Sequence, residues 1–187
     1  MTDDEGIAAI GRDPDALEAF YRAHVDAVQQ YVARRVTTPQ DAADLTADVF
    51  VAAIDASRRY RGEAAHPRAW IYGIARRVVA GHRRSRAQAA RVVSRLQGHA
   101  LLDDDAILRL TQRIDSEREA RALLRRIAGL PASQRDVVEL VAVDGLSLVE
   151  AAAALGIRPG AARVRYHRAR TSLGLTEPIS TCREVTP

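Results

Sequence analysis

Apolar residues recur along most of this chain at the spacing of a helix. Leu17, Phe20, Tyr21, His24, Val25, Val28, Tyr31 and Val32 recur at spacings of three and four, predicting an amphipathic helix over residues 15–36. His24 falls inside that stripe, as a packed core imidazole does. Thr37-Thr38-Pro39 interrupts the pattern and offers a threonine to cap the next helix. That second helix is predicted from Pro39 to Arg59, with Leu45, Val49, Ala52 and Ala53 buried. A third starts at His66-Pro67 and carries Trp70, Ile71, Ile74, Ala75 and Val78 on its apolar side. Gly81 costs this helix roughly 1 kcal/mol relative to alanine, so a bend or fraying is expected there. From Ser85 to about Asp115 no apolar period is sustained, and only short helices are expected.

Helical signals return at Ser116, which forms a capping box with Glu119 ahead of Leu123, Leu124 and Ile127, with Gly129 as the stop. Leu130-Pro131-Ala132-Ser133 then caps a helix that buries Val137, Val138, Leu140 and Val141, and Asp144-Gly145 makes a turn. The most legible stretch follows. Ser147 and Glu150 are a second capping box, an alanine-rich helix ends at Gly156, and Pro159 opens another. Two helices on a short turn containing glycine are a helix-turn-helix. At about 100° per residue, Ala162, Tyr166, Ala169 and Leu173 share one stripe of the second helix. Arg163, Val164, His167 and Arg168 lie opposite, flanked by Arg165 and Arg170. Guanidinium groups bind guanine edges and neutralise phosphates, so this face suits the major groove.

Composition adds a charge pattern. Of 187 residues, 47% are apolar but only 4% aromatic, as in small helical bundles, and the net charge of +4 conceals strong segregation. Residues 1–55 hold eleven acids and four arginines, and residues 56–95 hold eleven arginines and one acid. Residues 96–155 are again acidic and 156–187 basic, and every one of the 28 basic residues is arginine. Two basic blocks after two acidic ones suggest two nucleic-acid surfaces and a separate acidic surface. No apolar run is long enough to span a membrane. The acidic N-terminus does not resemble a secretory signal. The single cysteine, Cys182, can form no internal disulfide, which fits a reducing cytosol.

The second helix places Asp41, Asp44, Asp48 and Asp55 on one face. Four aspartates repel each other and are poor helix formers, which favours a docking surface for a basic partner over a merely solvated one. In the next block Arg58, Arg59, Arg61, Arg68, Arg76, Arg77, Arg83, Arg84 and Arg86 interleave with Tyr60, Trp70 and Tyr72. Arginines beside aromatics suit unstacked nucleic acid, although Trp70 itself reads best as core. Asp103-Asp104-Asp105 cannot converge on a metal from one helical face and reads as a solvated linker. No metal-ligand spacing, phosphate loop or nucleophile with a nearby base is present, so an enzyme, a metal site and a cofactor are all disfavoured.

The runs DAADLTADVFVAAI and RYRGEAAHPRAWIYGIARRVVAGHRR resemble region 2 of the extracytoplasmic-function group of sigma-70-family RNA polymerase sigma factors. Asp44, Leu45, Val49, Phe50, Trp70, Tyr72, Ile74, Ala75, Arg76 and Arg84 carry that likeness. Gly160, Arg165, Arg168, Ala169 and Arg170 resemble the recognition helix of region 4. Departures include Ala47, Asp48, Arg77 and Gly81 in the first half, and Ala161, Ala162 and Val164, where the family prefers Thr, Val and Ser, in the second.

The resemblance implies an all-α protein of two helical domains on a flexible linker. It divides the chain into a flexible 1–14, region 2 at 15–86, a linker at 87–115 near the polymerase active-site channel, region 4 at 116–174 and a flexible 175–187. Its implied partners are core RNA polymerase, through the clamp helices of the largest subunit and the flap region, and promoter DNA. An anti-sigma factor is a candidate regulator. Polymerase contacts fall on Asp41, Asp44, Leu45, Asp48, Phe50 and Asp55. Contacts to the −10 element fall on Arg58, Tyr60, Arg61, Gly62, Glu63, Trp70, Arg76, Arg77, Arg83 and Arg84. Contacts to the −35 element fall on Arg158, Gly160, Arg163, Val164, Arg165, His167, Arg168 and Arg170. The rivals are an ordinary helix-turn-helix regulator, which needs no acidic face, and a polymerase-binding regulator without initiation activity.

Overall fold

The computed structural model describes residues 3–60, 66–97 and 123–175, and every regular element among them is helical. Helix α1 spans Asp3–Ala9, α2 Pro14–Ala33, α3 Pro39–Ser57 and α4 Pro67–Gln97. Helix α5 covers residues 123–128, and α6 (Ala132–Val138) widens into a π-helical turn at Glu139–Val143. Helices α7 (Leu148–Leu155) and α8 (Pro159–Ser172) complete the described chain.

Local chemistry sets most of these boundaries. Asp13 caps α2 by accepting from the Asp15 amide at 2.9 Å, and Thr38 caps α3 by accepting from Asp41 at 3.0 Å. Helix α6 is an exception: Ser133 lies inside its first turn, and Pro131 ahead of it makes no side-chain capping bond. The Ser147–Glu150 capping box forms as expected, and Gly145 and Gly156 take the left-handed conformations that end the π turn and α7.

Helices α2, α3 and α4 build the larger core from Phe20, Val28, Val32, Val49, Phe50, Ile71 and Ile74, all buried. Within the N-terminal segment expected to be flexible, α1 packs on α2, α3 and α4, and Ile7 and Ile10 are buried. A smaller core joins α5, α6 and α8 through Ile127, Leu130, Val138, Ala169 and Leu173. Leu124, expected inside, is exposed, whereas Ile127, three positions on, is buried.

Helix α4 runs unbroken through Gly81 and on to Gln97, past the expected boundary at residue 86. A Cβ at Gly81 would meet open space, so the glycine fills no tight packing position. The Ser116–Glu119 capping box, Asp103–Asp105 and Cys182 lie outside the described residues.

The two cores are not separate. Leu140, Leu146, Ala151 and Ala154 from the C-terminal half join the larger core, so α7 packs directly on α4. At Gly73 the helices approach closely: an added Cβ would sit 3.4 Å from the Ala154 carbonyl oxygen.

Candidate polymerase and nucleic-acid interfaces

Helix α3 turns Asp44, Asp48 and Asp55 outward. Asp44 accepts from Gln40 at 2.9 Å, one helical turn back. Leu45 and Phe50, assigned to the same interface, are buried, because their apolar side chains fill the space between α2, α3 and α4. They position the acidic face and do not present themselves on it. Asp41 is also set apart, since Arg86 of α4 pairs with it at 3.0 Å and His82 approaches to 3.8 Å. Nearby, Tyr21 and Val51 add exposed apolar surface.

Trp70 is half-buried and held edge-on by two rings, Phe20 at 5.9 Å and Tyr60 at 5.8 Å. Its packing is that of a core residue with one side left open. Arg58, Arg76, Arg77, Arg83 and Arg84 are exposed. Arg83 donates to the Arg35 carbonyl at 3.2 Å. Arg61, Gly62 and Glu63 lie outside the described residues. His24 packs at a tilt against Phe20, ring centres 4.5 Å apart, and burial, with help from the Arg68 charge, holds its pKa below the ordinary imidazole value. A depressed imidazole pKa means that the unfolded chain takes up the proton more readily. The stability this brings is complete above about pH 6.5 and falls as the pH drops below that. The melting temperature of the wild type should therefore decline more steeply between pH 7.5 and 5.5 than that of His24→Phe; parallel curves would show that His24 does not titrate with folding.

Helix α8 matches the face-by-face expectation. Ala162, Ala169 and Leu173 are buried and Tyr166 half-buried, while Arg163, Val164, His167 and Arg168 are exposed. Arg165 and Arg170 stand at intermediate exposure on the flanks, and Arg158 and Gly160 are exposed at the N-terminal end.

A feature without any local sequence signal joins the two halves. Arg34 pairs with Asp144, and Arg35 pairs with Glu139 while its guanidinium lies 3.6 Å from the Tyr31 ring centre. Arg68 donates to the carbonyls of Asp144 and Gly145. The π turn explains why two acids five positions apart meet one arginine pair. The Asp144 amide bonds back to the Glu139 carbonyl at 2.9 Å, which brings both side chains to one side. The Asp144 carboxylate is 1% exposed, and its second oxygen has only Arg35 at 3.9 Å. Burial pushes its pKa up, while Arg34 and Arg35 pull against that shift. Such a buried cluster adds little net stability but fixes where the turn docks. Farther along α4, Arg76 approaches Asp136 of α6 to 3.9 Å. Trp70, Arg76 and Arg77 line a shallow groove whose other wall is the end of α7. The side of α4 expected to meet the −10 element is thus partly covered by the helix-turn-helix.

Comparison with known proteins supplies the family. Residues 20–89 match the family described as Sigma-70 region 2, and residues 120–173 match Sigma-70, region 4. The ECF RNA polymerase sigma factor SigC of Mycobacterium tuberculosis is 33% identical over 177 residues, covering 92% of this chain and 91% of the relative. SigD of the same organism is 36% identical over 170 residues, covering 86% and 76%. The RNA polymerase sigma factor CarQ of Myxococcus xanthus is 34% identical over 160 residues, covering 82% and 84%. Among solved structures, CnrH in complex with the cytosolic domain of CnrY superposes with a TM-score of 0.63 at 24% identity, covering 92% of this chain and 94% of CnrH. RpoE of Bartonella quintana, solved with the anti-sigma factor NepR, gives 0.59 at 21% identity, covering 84% and 93%. On these grounds the chain belongs to the extracytoplasmic-function group of the sigma-70 family of RNA polymerase sigma factors.

Proposed function

We propose that each of three surfaces of this sigma factor has its own partner. The outward acidic face of α3, centred on Asp44 and Asp48, docks on the clamp helices of the polymerase largest subunit. The Tyr60–Trp70 aromatic pair and the arginines of α4 capture the melted −10 strand. Arg163, Val164, His167 and Arg168 enter the major groove of the −35 element, and Arg158, Arg165 and Arg170 meet phosphates. The chain supplies no chemistry; the polymerase does. Its action is placed in the cytoplasm with polymerase and chromosome, and no described helix is long and apolar enough to cross a membrane.

The observation that carries this reading is the clean division of α8 into a buried stripe and a basic outward face. Run-off transcription with core polymerase on genomic fragments tests it: discrete start sites should appear only when the chain is added. Arg168→Ala should weaken initiation that depends on −35 by about 1–3 kcal/mol, the loss of one bidentate base contact. An unchanged promoter profile would move the reading face elsewhere.

Binding both elements together also requires the halves to part. The −10 and −35 elements, as their names say, lie about 25 base pairs apart, roughly 85 Å along the duplex at about 3.4 Å per base pair. In the packed arrangement α8 rests on α7 and α7 on α4, two helix spacings of about 10 Å each. The difference of some 65 Å exceeds what side-chain adjustment can cover.

A further inference from the structure

The base-reading end of α8 carries few hydrogen-bonding groups. Recognition helices in helix-turn-helix units contact base edges with their N-terminal residues. Here those residues are Pro159, Gly160, Ala161, Ala162, Arg163 and Val164, with only one polar side chain among them. Ala162 is buried and turned away. Val164 is 50% exposed and lies opposite the buried Ala162 and Ala169. Its neighbours at helical spacing are Gly160, Ala161, His167 and Arg168. A Cβ at Gly160 would meet nothing within 4 Å, and Ala161 adds only a methyl group. Neither Gly160 nor Ala161 carries a side chain long enough to shield the isopropyl group.

Valine is also a poorer helix former than alanine, so an exposed valine at this place brings α8 no local benefit. The surrounding charges say what approaches. Arg163 and Arg168 are exposed on α8 to either side of Val164, and Arg158 is exposed just ahead of the helix, a setting that favours a polyanion over an apolar protein surface. The one apolar group that base pairs present in the major groove is the 5-methyl of thymine.

We propose that Val164 reads the 5-methyl group of a thymine in the −35 element, so that one position of the promoter is chosen by apolar contact instead of hydrogen bonding. This rests on α8 being the −35 recognition helix. Arg163 and Arg168, on either side, add to the affinity for the DNA, and the isopropyl group meets the methyl. The contact favours thymine over cytosine and over the purines, none of which presents a methyl there.

The test uses the promoter located by run-off transcription, resynthesised with each −35 thymine singly replaced by deoxyuridine. Uracil pairs as thymine does and lacks only the methyl. Initiation by core polymerase with the full chain should fall about fourfold at one position, the effect of one methyl-sized group losing its burial. Val164→Ala should be weaker by a similar factor on the thymine template, with the thymine-to-uracil ratio near one. Arg168→Ala should lower initiation on both templates and keep the ratio. Equal use of thymine and uracil templates by the unsubstituted chain overturns the proposal. So does a −35 element without thymine, or a ratio that Val164→Ala leaves intact. Initiation indifferent to the whole −35 sequence overturns instead the reading of α8 on which the proposal stands.

Discussion

Replacing Asp144 by arginine is expected to open the molecule. The native carboxylate sits almost fully buried between Arg34 and Arg35, with Arg68 on its own carbonyl. The substitution places a further guanidinium among three, and an uncompensated buried charge costs about 3–5 kcal/mol. The halves can escape that cost by separating, because Phe20, Val49 and Ile71 stay packed in one and Ile127, Val138 and Leu173 in the other, although Leu140, Leu146, Ala151 and Ala154 lose their cover. Fluorophores at Gln29 of α2 and Ser172 of α8, both exposed, report the change as a longer mean separation. Helical circular dichroism should be retained, which distinguishes opening from unfolding. Combining Asp144→Arg with Arg34→Asp restores one opposite-charge pair and should return much of the short separation. An unchanged separation and an unchanged melting curve in Asp144→Arg would show that this cluster does not hold the halves together.

The second large effect concerns polymerase. Asp44→Arg with Asp48→Arg reverses the charge at the centre of the outward face of α3 while leaving Leu45 and Val49 behind it untouched. Losing a close charge pair across an interface costs about 2–5 kcal/mol, so the double reversal should reduce core polymerase binding by more than about a hundredfold. Direct binding of the full chain to duplex carrying the −35 element should persist. Loss of both activities would indicate misfolding, and retention of both would place the docking surface on another face.

The recognition helix was legible in the sequence for a physical reason. Its burial pattern, caps and charges are all local, so spacings of three and four residues contain the answer. The same holds for the stripes of α2 and α3. Long-range features left no such trace. Arg34 and Asp144 are 110 positions apart, and nothing near either residue announces the other. Ile7 and Ile10 stand in a short acidic segment with too few turns to display a period, and only contact with α2, α3 and α4 buries them. The extension of α4 to Gln97 escaped for the opposite reason. Ala87, Gln88, Ala89 and Ala90 are strong helix formers, but intrinsic propensity sustains a helix without painting an apolar stripe on it. Leu45 and Phe50 match the family pattern yet lie buried beneath the acidic face of α3, a place that sequence likeness cannot tell from contact.

The close approach at Gly73 gives the seam between the halves a mechanical gauge. A methyl group there would just touch the Ala154 carbonyl, and each larger side chain would act as a thicker wedge between α4 and α7. Tightness at this point depends on the lack of a side chain and not on any charge. One small-to-large exchange at this position would therefore shift the balance between folded-up and spread forms while leaving every arginine and aspartate of the proposed surfaces in place.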